Sequence, residues 1–203
     1  MDEKVNSASD KIKRSLIFME HLSDIMGKNT NLKSDRSIVG IPALPLINCD
    51  IMGNFIKTTY TDEMAKRVVK GWESNFHQQL PLDTGSGKTY ISIHACALLN
   101  PNANLVIFAP PGKARDGSWE SSIESYNQVM QTNLTYIITT YDKRKLDELY
   151  ENIKSHDFNI LLLDEIHEIK GTTNKRSKRL IDLSQNDHIH KSIGLSATAE
   201  PNS

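Results

Sequence analysis

Cysteine is nearly missing: Cys49 and Cys96 are the two in 203 residues, with no C-x-x-C and no Cys/His spacing suited to a metal. That argues against a disulfide framework or a structural zinc site and makes a reducing compartment the default. Long hydrophobic runs are missing as well. None approaches the roughly 20 apolar residues of a membrane-spanning helix. The opening "MDEKVNSASDK" is acidic and polar, unlike a secretory signal. The expected location is therefore cytoplasmic (bacterial, phage or viral) or nuclear, not secreted. Nor does either sign of charge dominate: 24 Lys and Arg face 25 Asp and Glu, a formal net charge of −1. A nucleic-acid contact would need a local patch. Internal repeats and low-complexity tracts are also absent.

What is present is a change of rhythm along the chain. Residues 11–27 place Ile12, Leu16, Met19, Leu22 and Met26 at helical spacing, with Gly27 as a stop. Residues 28–60 read as irregular, with Pro42 and Pro45 breaking an apolar stretch. We read 1–60 as an N-terminal appendage and 61–203 as one domain opening on a helix over 61–75. Beyond residue 77, short β-rich runs at 104–109, 134–139, 159–164 and 191–197 alternate with helical stretches at 88–99, 119–130, 143–154 and 175–183. Strands apolar on both faces and separated by helices predict an α/β fold, a mostly parallel sheet flanked by helices. The run "HQQLPL" ahead of the first of these helices is a weak strand, because Pro81 sits awkwardly in a central position.

That run leads into "LDTGSGKTY". Gly85 and Gly87 allow backbone N–H groups to converge on a phosphate, and the helix that follows adds its N-terminal partial charge. Lys88 reaches β- and γ-phosphates, and the Thr89 hydroxyl suits magnesium. Thr84, Gly85, Ser86, Gly87, Lys88 and Thr89 are the candidate phosphate-binding residues. The pattern G-x-x-x-x-G-K-S/T fails at its first glycine, where Leu82 stands. A second motif, "LLLDEIHEIKG", ends an apolar strand with Asp164, Glu165 and His167. An aspartate there can hold magnesium and the next glutamate can polarise a water. A third, "IGLSATAEPNS", offers the small hydroxyls Ser196 and Thr198 after another strand.

In this order "TGSGKT", "DEIH" and "SAT" resemble motifs I, II and III of superfamily-two helicases of the DEAD/DEAH type. The segments "VIFAPPGKARDGSWESSI" and "YIITTYD" resemble those of the Swi/Snf-like translocase branch, and nucleoside triphosphatases of large DNA viruses share the layout. The resemblance covers residues 77–203. It implies a first RecA-like P-loop domain that uses ATP and magnesium. Carried onto this sequence, it makes Lys88, Asp164, Glu165 and His167 catalytic, with Thr89 and Asp164 at the metal. Ser196 and Thr198 become a coupling relay with His167. Pro110, Pro111, Gly112, Thr139 and Thr140 match segments lining the nucleic-acid track, with double-stranded DNA the expected partner. Family members continue into a second RecA-like domain carrying an arginine finger, so that domain or a partner chain is expected here. An adenine-reading glutamine motif is not evident; Gln78 and Gln79 lie too close to the loop.

Two other readings stay open: a non-catalytic nucleotide-binding regulatory module, and an RNA-directed or viral transcription-associated triphosphatase. A nucleotide kinase would carry neither "DEIH" nor "SAT". The basic stretch at 170–180 reads as a solvated loop and helix start rather than a phosphate patch. His188 and His190 lack a third metal partner, Cys96 falls in the core, and Trp119 leads a helix that packs on the sheet.

Overall fold

In the computed structural model, the residues described are 55–82, 85–142, 146–166 and 175–196. The expected helix over 11–27 and residues 1–54 of the appendage lie outside them; of the rest, Phe55 is in the core and Thr59 opens the first helix. Strands β2 (Asn104–Ala109) and β4 (Asn159–Leu163) are buried at every position. Their alternate residues serve opposite faces: Leu105, Ile107, Ile160 and Leu162 enter one apolar cluster, and Val106, Phe108, Leu161 and Leu163 the other. Such strands need cover on both sides.

Helices α1 (Thr59–Ser74), α2 (Lys88–Leu99) and α3 (Ser118–Met130) cover the first face through Ala65, Trp72, Ile91, Ala95, Trp119 and Ile123. Helices α4 (Asp147–Lys154) and α5 (Lys175–Ser184) cover the second through Leu149, Ile153, Leu180 and Leu183. The remaining strands are β1 (His77–Pro81), β3 (Thr135–Thr140) and β5 (Ile189–Ser196). All pairings are parallel, in the order β1-β5-β4-β2-β3.

This is the expected α/β architecture, a RecA-like five-stranded parallel sheet with helices on both faces. One expectation needs correcting. Pro81 is not in a central strand: β1 is an edge of the described sheet, and Pro81 is its last residue, opposite Ser196. A proline costs little at an edge, where its missing N–H has no ladder partner to lose. The helix expected over 143–154 is seen from Asp147.

Two polar devices hold the frame. The Trp72 indole donates to the Ser192 carbonyl at 2.9 Å, and the Lys191 ammonium donates to the Trp72 carbonyl, so β5 caps the C-terminal end of α1. At the amino ends of the strands, Asn104 and Asn159 are wholly buried. Asn104 Nδ2 donates to Asn159 Oδ1 and Asn152 Oδ1, both at 2.8 Å, and Asn159 Nδ2 reaches the carbonyls of Ile153, His156 and His188. The β4–β5 register shifts beside Asn159, at His190. There the His190 ring stacks on Phe158 with centroids 4.3 Å apart and accepts the Asn159 N–H, a packing role. Cys96 is buried, as expected, and burial pushes its thiol pKa far up.

Candidate nucleotide and metal site

Because the strands are parallel, their carboxyl ends deliver the glycine loop and the acid pair to the same edge of the sheet. The outgoing connections of neighbours β2 and β4 run to opposite faces, α3 to one and α5 to the other. A crevice opens at such a switch point. The glycine loop after β1 is separated from the acids after β4 by one strand, β5. Two inter-strand spacings put them roughly 10 Å apart, room for a phosphate chain and a cation between them.

The loop has the backbone its glycines predict. Gly85 and Gly87 take φ +80° and +81°, the left-handed region that β-carbon-bearing residues resist. Gly87 is the N-cap of α2 and supplies no side-chain cap. A helix start without a side-chain cap suits an anionic acceptor. The Ser86 hydroxyl oxygen is buried with no hydrogen-bond partner among the described residues. Lys88 Nζ donates to the Leu82 carbonyl at 2.7 Å, so the residue in the place of the first glycine serves through its backbone. The Leu82 N–H in turn donates to the Ser196 carbonyl at 3.2 Å, which ties the loop to the end of β5. Cationic, N–H-rich and carrying an unsatisfied hydroxyl, this cradle fits a phosphate group.

Asp164 is 3% exposed and held from several sides. Its N–H donates to the Phe108 carbonyl at 2.8 Å, and its own carbonyl accepts the Tyr141 hydroxyl at 2.7 Å. The Trp119 indole donates to Asp164 Oδ2 at 3.2 Å. Glu165 follows with φ +49°, a strained conformation for a side chain of this size. Ile166 then turns into the core beneath β5, where Gly194 leaves it space: a Cβ at Gly194 would lie 3.0 Å from Ile166 Cδ1. Two adjacent carboxylates with hard oxygen donors fit magnesium.

The sequence did not point to Lys113. From the loop after β2 its Nζ lies 3.1 Å from Glu165 Oε1, 3.2 Å from Asp164 Oδ2 and 3.4 Å from Asp164 Oδ1. Burial pulls the Lys113 pKa down, but the Asp164 charge and the Glu165 contact outweigh it and hold it above the ordinary lysine value. A lysine amid "PPGKARDGSW" reads as a solvated loop charge, and nothing local marks a partner 51 residues away. Trp119 is fully buried, as its packing role predicts; its hydrogen bond to Asp164 is additional.

The other expected residues are spread along this edge. Thr89 is second in α2 and Ser196 ends β5. Pro111 and Gly112 are exposed and Pro110 is half-buried. Thr139 is buried and Thr140 half-buried at the carboxyl end of β3. Thr84, His167 and Thr198 lie outside the described residues. Of the basic stretch, Arg176 is spent on a two-bonded pair with Asp142 at 2.6 and 2.7 Å. Arg179 donates to the Tyr141 carbonyl at 3.3 Å.

No curated protein matches the chain. The family model described as the type III restriction enzyme, res subunit, matches residues 55–201, well over half of it. A parallel RecA-like sheet, a glycine cradle on one strand end and an acid pair two strands away accord with that match. The chain belongs to the type III restriction enzyme res-subunit family, as a superfamily-two helicase-type, ATP-dependent nucleotide-binding module.

Proposed function

We propose that the chain is the ATP-binding N-terminal half of a DNA helicase or translocase of the Swi/Snf-like branch, coupling hydrolysis to movement along double-stranded DNA. The observation that carries this is the cradle and acid pair held at one sheet edge about two strand spacings apart. The backbone of Gly85 to Gly87 and the first turn of α2 receive the phosphates, with Thr84 and Ser86 beside them. Lys88 leaves the Leu82 carbonyl to meet the β- and γ-oxygens. Thr89 and Asp164 would hold magnesium, which neutralises charge developing on the phosphates when bound. Glu165 accepts the proton of the attacking water. His167, Ser196 and Thr198 relay the nucleotide state, and Pro110, Pro111, Gly112 and Thr140 meet the strand. A second RecA-like domain or partner chain supplies the arginine finger and the other wall of the groove.

Paired substitutions test the assignment. Lys88→Ala should weaken magnesium-ATP binding by ten-fold or more, roughly the loss of one charged contact. Glu165→Gln should leave that affinity within a few-fold and abolish turnover in the two-domain enzyme. Calorimetry and phosphate release read the two effects. Unchanged binding in the first variant, or persistent turnover in the second, would remove the assignment.

A further inference from the structure

Lys113 is not used by the proposed reaction, yet its ammonium lies 3.1 Å from Glu165 and 3.2 Å from Asp164. Asp164 is almost fully buried, and Glu165 follows it directly, so two negative charges share a poorly solvated place. Uncompensated, that arrangement is costly. The chain compensates it with one ammonium set within 3.1–3.4 Å of three carboxylate oxygens, Asp164 Oδ1 and Oδ2 and Glu165 Oε1. A divalent cation held by Asp164 would need the same carboxylate oxygens and the place the ammonium fills. The two positive charges cannot both occupy it.

We propose that Lys113 is a built-in counter-ion that holds the cation position of the Asp164/Glu165 pair, and that magnesium enters only as Lys113 leaves. This rests on the reading of Asp164 as a magnesium ligand beside the base Glu165. Lys113 is thus a positioning residue, acting on the site through the carboxylates. Its loop spans residues 110–117 at the carboxyl end of β2, pinned by turns from Ala114 N–H to the Pro110 carbonyl at 2.9 Å and from Arg115 and Asp116 N–H to the Gly112 carbonyl at 3.1 Å. Exposed Pro111 and Gly112 immediately precede the lysine. A nucleic-acid strand seated on them and drawing the loop outward would vacate the cation position. By reciprocity, the cation would ease strand binding by the same factor.

Manganese binding by the full chain, read by electron paramagnetic resonance with and without ADP, tests this. The native chain should take manganese alone weakly, and Lys113→Met should bind it about ten-fold or more tightly, since a like charge has gone. Lys113→Arg should restore weak binding. Equal affinities in native chain and Lys113→Met overturn the proposal and leave the metal site standing. No manganese binding in any chain, with or without ADP, overturns the metal-site reading and this proposal together. Should Lys113→Met fail to fold, the native chain decides: manganese with ADP should speed tryptic cleavage after Lys113 and Arg115 several-fold, and an unchanged rate overturns the proposal.

Discussion

Gly194 shows how the geometry of one residue reaches the acid pair. It lies in β5 opposite Leu163, the residue just before Asp164, and its missing side chain is the space taken by Ile166. An added methyl would meet Ile166 Cδ1 at 3.0 Å and His77 Cε1 at 3.4 Å, both buried. Gly194→Ala should therefore destabilise the fold by about 1–3 kcal/mol, measured by urea unfolding, with the shift of Ile166 also loosening nucleotide binding. A neutral effect on both would show that the acid loop is more pliant than this packing implies. Residues of this kind divide by legibility. Gly85, Gly87 and Lys88 could be read directly, because a left-handed turn, a helix start and a cation are adjacent in the chain. Gly194 and Lys113 could not, because what each touches is decided by strands brought together only in the fold.

At the scale of elements, α1, α2 and α3 are joined by a polar chain inside an apolar face. Asp62 on α1 accepts from Lys66 at 2.6 Å and Lys57 at 2.9 Å, and His94 on α2 lies between Asp62 at 3.1 Å and the Tyr126 hydroxyl on α3 at 2.6 Å. The Lys66 contact above all, then Lys57 and His94, hold the Asp62 carboxyl well below the usual range, against a smaller effect of burial. Burial lowers the pKa of His94 despite the Asp62 bond, so the folded state keeps the ring neutral. Both folded pKa values are depressed, so both contributions are complete above the unfolded values, near 6.5 and 3.9. Both are lost as pH falls. The melting temperature should drop as pH goes from 7.5 to 5.5, through His94 first, and further below pH 4 through Asp62. His94→Leu should melt lower at pH 7.5 but with a flatter decline to pH 5.5. An unchanged slope would place the titration elsewhere. Thr61 and the run after it made α1 legible, but not this chain, since Asp62, His94 and Tyr126 each read as ordinary residues of separate helices.

For the molecule as a whole, alternation of apolar runs with helices was enough to read a parallel sheet, whereas strand order was not in the pattern. Pro81 misled for that reason: its cost depends on whether β1 has one neighbour or two, and only the assembled sheet decides. The same assembly bears on activity. The cations seen at the site, Lys88 and Lys113, come from within the lobe, and the charge of a phosphoryl-transfer transition state calls for a further one, worth about 10³–10⁵ in rate in related enzymes. Residues 1–203 alone should bind magnesium nucleotide weakly and hydrolyse ATP barely above background, with no stimulation by duplex DNA, in a phosphate-release assay. Robust DNA-stimulated hydrolysis would show that copies of the chain complete one another.

The edge position of β1 has a consequence for synthesis. Among the described strands β1 pairs with β5 alone, and the intervening strands are laid down before that partner exists. His77 faces Ser192, and the Phe76 carbonyl waits for the Ser192 N–H. As the chain leaves the ribosome, β2, β3 and β4 can join first, but the strand that carries the glycine loop has nothing to dock on until residue 196 has emerged. The strand pairing of longest sequence separation among those described is also the one that forms the phosphate cradle. In a nascent chain the strand that carries the glycine loop must therefore wait longest for its partner.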